Sequence, residues 1–274
     1  MKLATDYPFF RSKKPRIIGH RGAAGEVPEN TFPSFQKALE GGAEFIELDV
    51  RSSKEGDVLV IHDARLDTTT NGRGAVRKRN LAKIKELDAG YWFSSDEGRS
   101  YPYRGRKIEI PTLEEYLSAL PKAKTIIDIK QSRPTIVKQV IDIVCRLGKE
   151  QNVLLATEKD KIMRDIRKAI ERSDLKVATG FSYGEAAAFF YWLAGGRKGD
   201  FVPPGQALQI PYEYKGMTLV TEETVTAAHE LGIEMFVWTV NDVEEMARLL
   251  DLGVDGIMTD YPSRLRELIA RNRS

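Results

Sequence analysis

Two histidines, His20 in IIGHRG and His62 in VLVIHD, bracket the run FIELDV with its Glu47 and Asp49. The chain holds only three histidines, so this concentration selects the stretch as a place for chemistry. Imidazoles titrate near neutral pH and can take or give a proton. Residues two apart in a strand share a face, so Glu47 and Asp49 project together, their Cα atoms roughly 6.5–7 Å apart. Phe45 shares that inner face, and Ile46, Leu48 and Val50 take the other. Two carboxylates this close repel each other unless a cation or a proton lies between them. An E-x-D pair alone is equally a salt-bridged strand end. A later run, TIIDIK, adds Asp128 and Lys130 on one face. They can pair structurally, or complete a three-carboxylate site with a lysine for a phosphate. An all-oxygen ligand set favours Mg²⁺ or Ca²⁺, whereas zinc would recruit the imidazoles more directly. Arg21 can clamp a phosphate in bidentate fashion, provided the chain leaves strand geometry after His20, which Gly19 and Gly22 permit. Trp238 is a wall over a substrate or an ordinary core aromatic. His229, mid-helix with no acidic cluster predicted beside it, is structural.

These residues must be positioned by short apolar strands, and such runs alternate with helical patterns from end to end. Strands are expected at 16–20, 45–50, 58–62, 125–130, 153–156, 177–180, 207–210, 234–240 and 255–259. Helices are expected at 31–40, 112–120, 134–147, 159–171, 222–231, 242–252 and 262–272. Thr112 and Glu115 form a capping box, Pro134 opens one helix, and Asn241 precedes another. Strand–helix alternation at this length predicts an α/β fold, a (β/α)8 TIM barrel. Nine strands are one too many. Only eight residues separate Asp49 from Val58, too few for a crossover helix. Run 58–62 should therefore return antiparallel as a hairpin strand, leaving eight for the barrel. The link from about 63 to 111, rich in turns and charge, reads as an insertion with a short helix near 80–88, and residues 1–274 as one barrel domain.

The chain's 274 residues are 42% hydrophobic and 30% charged, with a net charge of +2, which gives no electrostatic case for nucleic acid. A single cysteine, Cys145, excludes an intrachain disulfide and reads as a packing residue. The N-terminal residues lack the apolar core of a signal peptide, and no run approaches the ~20 residues of a membrane span. A cytoplasmic protein is expected, its oligomeric state unread.

The ordered pieces HRG at 20–22, PENT at 28–31, ELDV at 47–50, VIHD at 60–63, TTNG at 69–72, IPTLEE at 110–115, VWTVN at 237–241 and GVDGIMTDYP at 253–262 resemble the glycerophosphodiester phosphodiesterases, of the phospholipase-C-like barrel group. The resemblance implies a barrel with an insertion after the second histidine. It implies metal-dependent cleavage of glycerophosphodiesters to glycerol 3-phosphate and an alcohol. His20 and His62 are then the acid/base pair, Glu47 and Asp49 metal ligands, Arg21 the phosphate clamp and Lys130 its neighbour. The family usually has glutamate as the third ligand, in E-I-K; here D-I-K supplies Asp128, one methylene shorter.

Segment 183–205, which follows the fifth barrel strand, holds Phe189, Phe190, Tyr191, Trp192 and Leu193 in succession, then Arg197 and Lys198. It reads as a packed helix. The sharper alternative is an apolar lip, at 186–198, touching lipid and making the substrate a lysophospholipid, as in a lysophospholipase D. A glycoside hydrolase would leave the histidines idle. A non-catalytic metal- or phosphate-binding barrel is the remaining alternative class.

Overall fold

The computed structural model describes residues 3–271. Met1, Lys2 and residue 272 of the last expected helix lie outside them. Eleven strands form: β1 (Arg16–His20), β2 (Phe45–Ser52), β3 (Val58–Val60), β4 (Lys124–Ile129), β5 (Val153–Ala156), β6 (Ala178–Thr179), β7 (Ala207–Ile210), β8 (Glu213–Tyr214), β9 (Met217–Thr218), β10 (Glu234–Val237) and β11 (Gly256–Thr259). The helices are α1 (Phe32–Glu40), α2 (Leu81–Lys85), α3 (Leu113–Ala119), α4 (Val137–Arg146), α5 (Asp160–Arg172), α6 (Tyr183–Ala194), α7 (Glu222–Glu230), α8 (Val243–Asp251) and α9 (Pro262–Arg271).

Eight parallel strands run in the order β6-β5-β4-β2-β1-β11-β10-β7. A parallel bridge between Gly180 and Ala207 joins the two ends into a nearly closed barrel. The expected hairpin is present: β3 pairs antiparallel with β2, Val50 opposite Val60 and Ser52 opposite Val58. Its turn is closed by Ser53 N–H donating to the Asp57 carbonyl at 2.9 Å, with Gly56 at φ +99°.

Alternation sorts the side chains. Ile46, Leu48 and Val50 pack outward with Phe35, Tyr116 and Val140 from the helices, and Cys145 lies partly buried against this cluster. Phe45, Ile126, Leu154 and Phe236 point inward. The barrel floor brings a feature with no strand or helix periodicity to announce it. Residues 3–10 fold as two short 3-10 turns that lodge Tyr7, Phe9 and Phe10 among those inward side chains. Arg16 is buried there. Its guanidinium donates to Glu234 at 2.6 Å, to the Phe10 carbonyl at 2.5 Å and to Ser12 Oγ at 2.9 Å.

Several boundaries differ from expectation for visible reasons. Helix α4 starts at Val137 rather than Pro134, because Ser132 and Thr135 pair in a bridge and the Pro134 carbonyl accepts from Gln131. Helix α8 is capped by Asp242, whose side chain accepts from Glu245 N–H; Asn241 is used elsewhere. Strand β10 stops at Val237 and β3 at Val60, which frees Trp238 and His62 from strand geometry. The hairpin β8–β9 falls outside the expected elements. His229 does have an acidic partner, its Nε2 lying 2.8 Å from Asp255 Oδ2, across 26 residues of sequence. Asp255 also takes Lys14, so the histidine belongs to the floor's ionic network. Its structural reading stands, with a partner the helix pattern does not show.

Candidate active site

The carboxyl ends of the strands form the mouth. In β2 the register sets Glu47 beside His20 of β1, and Asp49 beside Asp128 of β4. A ligand oxygen from each of Glu47, Asp49 and Asp128 can be chosen so that all lie within 4.8 Å of one another. The shorter Asp128 therefore reaches the group. Glu47 and Asp49 are buried, and Asp128 is partly exposed.

Three acids in so small a volume cannot ionise freely. Burial and the Asp49 charge push the Glu47 carboxyl up to about 7, His20 opposing. Burial also raises Asp128, with Lys130 acting against it. For Asp49 burial is overridden by Lys130, Arg21 and His62, and by the Asn30 amide, so it stays below the usual carboxylate range. Lys130 Nζ lies 2.7 Å from Asp128 Oδ2 and 3.2 Å from Asp49 Oδ1. Burial opposes its charge, but these carboxylates hold it protonated. Asp128 Oδ1 is buried and has no hydrogen-bond partner among the described residues. A trio of hard oxygens, two of them on carboxyls raised by burial and by neighbouring negative charge, with one acceptor atom left over, fits a divalent cation of the Mg²⁺ or Ca²⁺ type.

Arg21 leaves strand geometry as required, at φ +50°, followed by Gly22 at +89°, where a Cβ would collide with Ser34. That turn aims the Arg21 N–H at Glu47 Oε2, 3.0 Å away. Its guanidinium spans Glu29, at 3.0 Å, and Asp49 Oδ2, at 3.2 Å. His62 stands two residues beyond β3, close enough for its charge to act on Asp49. Both imidazoles are held from behind. His20 Nδ1 lies 2.7 Å from Asp260 Oδ1, and His62 Nδ1 lies 2.8 Å from Asp63 Oδ1. Burial alone would lower His20, but the bond to Asp260 and the Glu47 charge outweigh it and raise its pKa. Seven expected residues thus meet at one half of the mouth. Trp238, 39% exposed, follows β10, which lies across the ring from β4.

Four supporting residues were not singled out from the sequence. Asn30 grips Asp49 twice: its amide donates to Oδ2 at 2.9 Å, and its carbonyl accepts from the Asp49 N–H at 3.2 Å. Asn241 donates to Asp260 Oδ2 at 2.6 Å. With Asp63 and Asp260, all four lie inside the pieces PENT, VIHD, VWTVN and GVDGIMTDYP, whose polar members were the available signal.

A parallel barrel with carboxylates, backed imidazoles and fixed cations at its mouth is equipped to bind an anionic group and to move protons beside it. Comparison with known proteins narrows this. The model of the glycerophosphoryl diester phosphodiesterase family matches residues 20–264. A glycerophosphodiester phosphodiesterase of Caldanaerobacter subterraneus is 31% identical, over 94% of this chain and 99% of its own length. A mouse lysophospholipase D is 28% identical, over 97% and 92%. In fold, the glycerophosphoryl diester phosphodiesterase domain of a Mycobacterium tuberculosis protein superposes with a TM-score of 0.81 at 22% identity, covering 94% of this chain and 100% of that one. An Oleispira antarctica phosphodiesterase, solved in complex with sn-glycerol 3-phosphate, gives 0.70 at 24% identity, over 93% and 97%. The chain belongs to the glycerophosphoryl diester phosphodiesterase family.

Proposed function

We propose that the chain is a single catalytic domain that hydrolyses soluble glycerophosphodiesters to glycerol 3-phosphate and an alcohol, with a divalent cation and a histidine pair. The observation that carries this reading is the approach of Glu47, Asp49 and Asp128 within 4.8 Å, flanked by two carboxylate-backed imidazoles. Glu47, Asp49 and Asp128 would hold the cation. When bound, it would neutralise the phosphodiester and acidify an oxygen nucleophile. Arg21 and Lys130 place fixed positive charge where the phosphorus oxygens gain negative charge, at no reorganisation cost during reaction. Asp260 and Asp63 fix the two rings through Nδ1 and leave each Nε2 to exchange a proton. One histidine takes the nucleophile's proton, and the other protonates the departing alcohol. The nucleophile is water, or the substrate's neighbouring hydroxyl, which closes a cyclic phosphate that water then opens to glycerol 3-phosphate. Trp238 walls the far side of the mouth.

The packing of α6 favours the soluble diester over a lysophospholipid. Phe189 is buried, and Phe190, Trp192 and Leu193 pack against the same core; of that run only Tyr191 is exposed, at 79%. This leaves little apolar lip at 186–198 for an acyl chain. Choline release from glycerophosphocholine, which leaves glycerol 3-phosphate, should exceed choline release from lysophosphatidylcholine, which leaves lysophosphatidate, at least tenfold in kcat/KM, the scale of one or two methylenes' worth of missing apolar contact. Equal or faster turnover of the lysophospholipid would replace this reading with a lysophospholipase D, and failure on both would remove the diesterase.

A further inference from the structure

The charge of the chain is unevenly placed. The excursion 63–111 carries eleven Lys and Arg against seven Asp and Glu, while the whole chain is only +2, so the remainder is acidic on balance. The excursion leaves the mouth at His62 and Asp63 and returns at Pro111, whose carbonyl accepts from Val60 N–H at 2.8 Å. It has its own small core of Leu66, Val76, Ile84, Ala89 and Ile110, packed with Leu59 and Ile61. Asp88 ties its two halves, accepting from Gly90, Gly105 and Ile108 N–H and donating its own N–H to Asn71. On this rigid body Arg77, Lys78, Arg79, Arg104, Arg106 and Lys107 are exposed, and none forms an ion pair among the described residues. Unpaired cations on a compact body repel one another unless an anionic surface faces them.

Aromatic rings flank two of them, Arg104 and Arg106. Tyr91, Trp92 and Tyr101 surround the Arg104 guanidinium at 4.5, 4.8 and 3.8 Å from their centroids, and Trp92 is 45% exposed. Arginine, lysine, tyrosine and tryptophan together suit a bilayer interface, where amphipathic rings sit at headgroup depth and cations meet anionic lipid. We propose that the 63–111 excursion docks this protein on anionic phospholipid membranes, beside the catalytic mouth. The docking is independent of the hydrolysis proposed above, because none of these side chains belongs to the site.

The test is sedimentation of the full chain with phosphatidylcholine vesicles, with and without 30% phosphatidylserine by design, at about 0.1 M and about 0.5 M salt. Binding is expected only to the anionic vesicles and should fade at the higher salt. A basic residue near such a surface strengthens binding about fivefold. The combined R77A, K78A, R106A and K107A variant should therefore bind about 10²–10³-fold more weakly, with glycerophosphocholine turnover unchanged as the check on folding. Trp92→Ala should weaken vesicle binding severalfold. Absence of binding to anionic vesicles at low salt, or unaltered binding by the fourfold variant, would overturn the proposal. So would a DNA duplex bound as tightly as the vesicles, since a polyanion without a bilayer needs no interfacial tryptophan.

Discussion

His20→Ala is expected to lower kcat for glycerophosphodiester hydrolysis by about 10²–10⁴-fold, the range for loss of a positioned acid or base. Three features single this residue out. It closes β1 level with Glu47 of β2, next to the three carboxylates. Its Nδ1 is engaged by Asp260, which Asn241 holds in turn, so the ring has one orientation. Its pKa is raised by that bond and by Glu47 against the pull of burial, so it is readily available as a proton donor near neutral pH. His62→Ala should act on the same scale, and the double variant should fall short of the product of the two, because one proton relay fails only once. Steady-state assays of purified variants whose thermal midpoints match the parent would check this. Activity within twofold of the parent in either single variant would remove the histidine pair from the chemistry.

Arg16→Ala should cost about 3–5 kcal/mol of stability, the scale of breaking a buried ion pair by deleting one partner. The guanidinium is 2% exposed and satisfies Glu234, the Phe10 carbonyl and Ser12 together. It also lies 5.7 to 5.9 Å from the ring centroids of Phe45, Phe236 and Phe10. Deletion leaves Glu234, itself buried, with only the half-exposed Lys14 as counter-charge among the described residues, and opens a hole beneath the floor aromatics. Arg16→Lys keeps the charge but loses the fork that serves three acceptors, so it should fall between. Denaturant midpoints at unchanged m-value measure both. A loss below about 0.5 kcal/mol for the alanine variant would make the floor network dispensable.

Glu47, Asp49 and Asp128 were legible because they lie within strands, where period-two alternation fixes the face, and His20 because it closes one. Glu47 and Asp49 could be set side by side from spacing alone, and the eight-residue gap before Val58 dictated the hairpin that brings His62 back. Partners were another matter. Asp260 lies 240 residues from His20, and Asn241 another strand away; no local period connects them. The same holds for His229 and Asp255, and for the Arg16–Glu234 pair across 218 residues. The floor of the barrel was hidden for a different reason. Tyr7, Phe9 and Phe10 belong to short turns without strand or helix periodicity, and what fixes them is the open end of a barrel whose inward residues need covering. Asn30 sits at φ +57°, a left-handed position that only the folded loop imposes.

The central claim concerns the three carboxylates and the cation they would hold. Exhaustive chelation followed by separate return of Mg²⁺ and Ca²⁺, with glycerol 3-phosphate release from glycerophosphocholine as the readout, tests it most directly. Activity should vanish with the chelator and return with at least one of the two ions. Asp128→Ala should raise the concentration of that ion needed for half recovery by at least tenfold. Full activity after exhaustive chelation would contradict the claim, and the crowding of Glu47, Asp49 and Asp128 would then need another explanation.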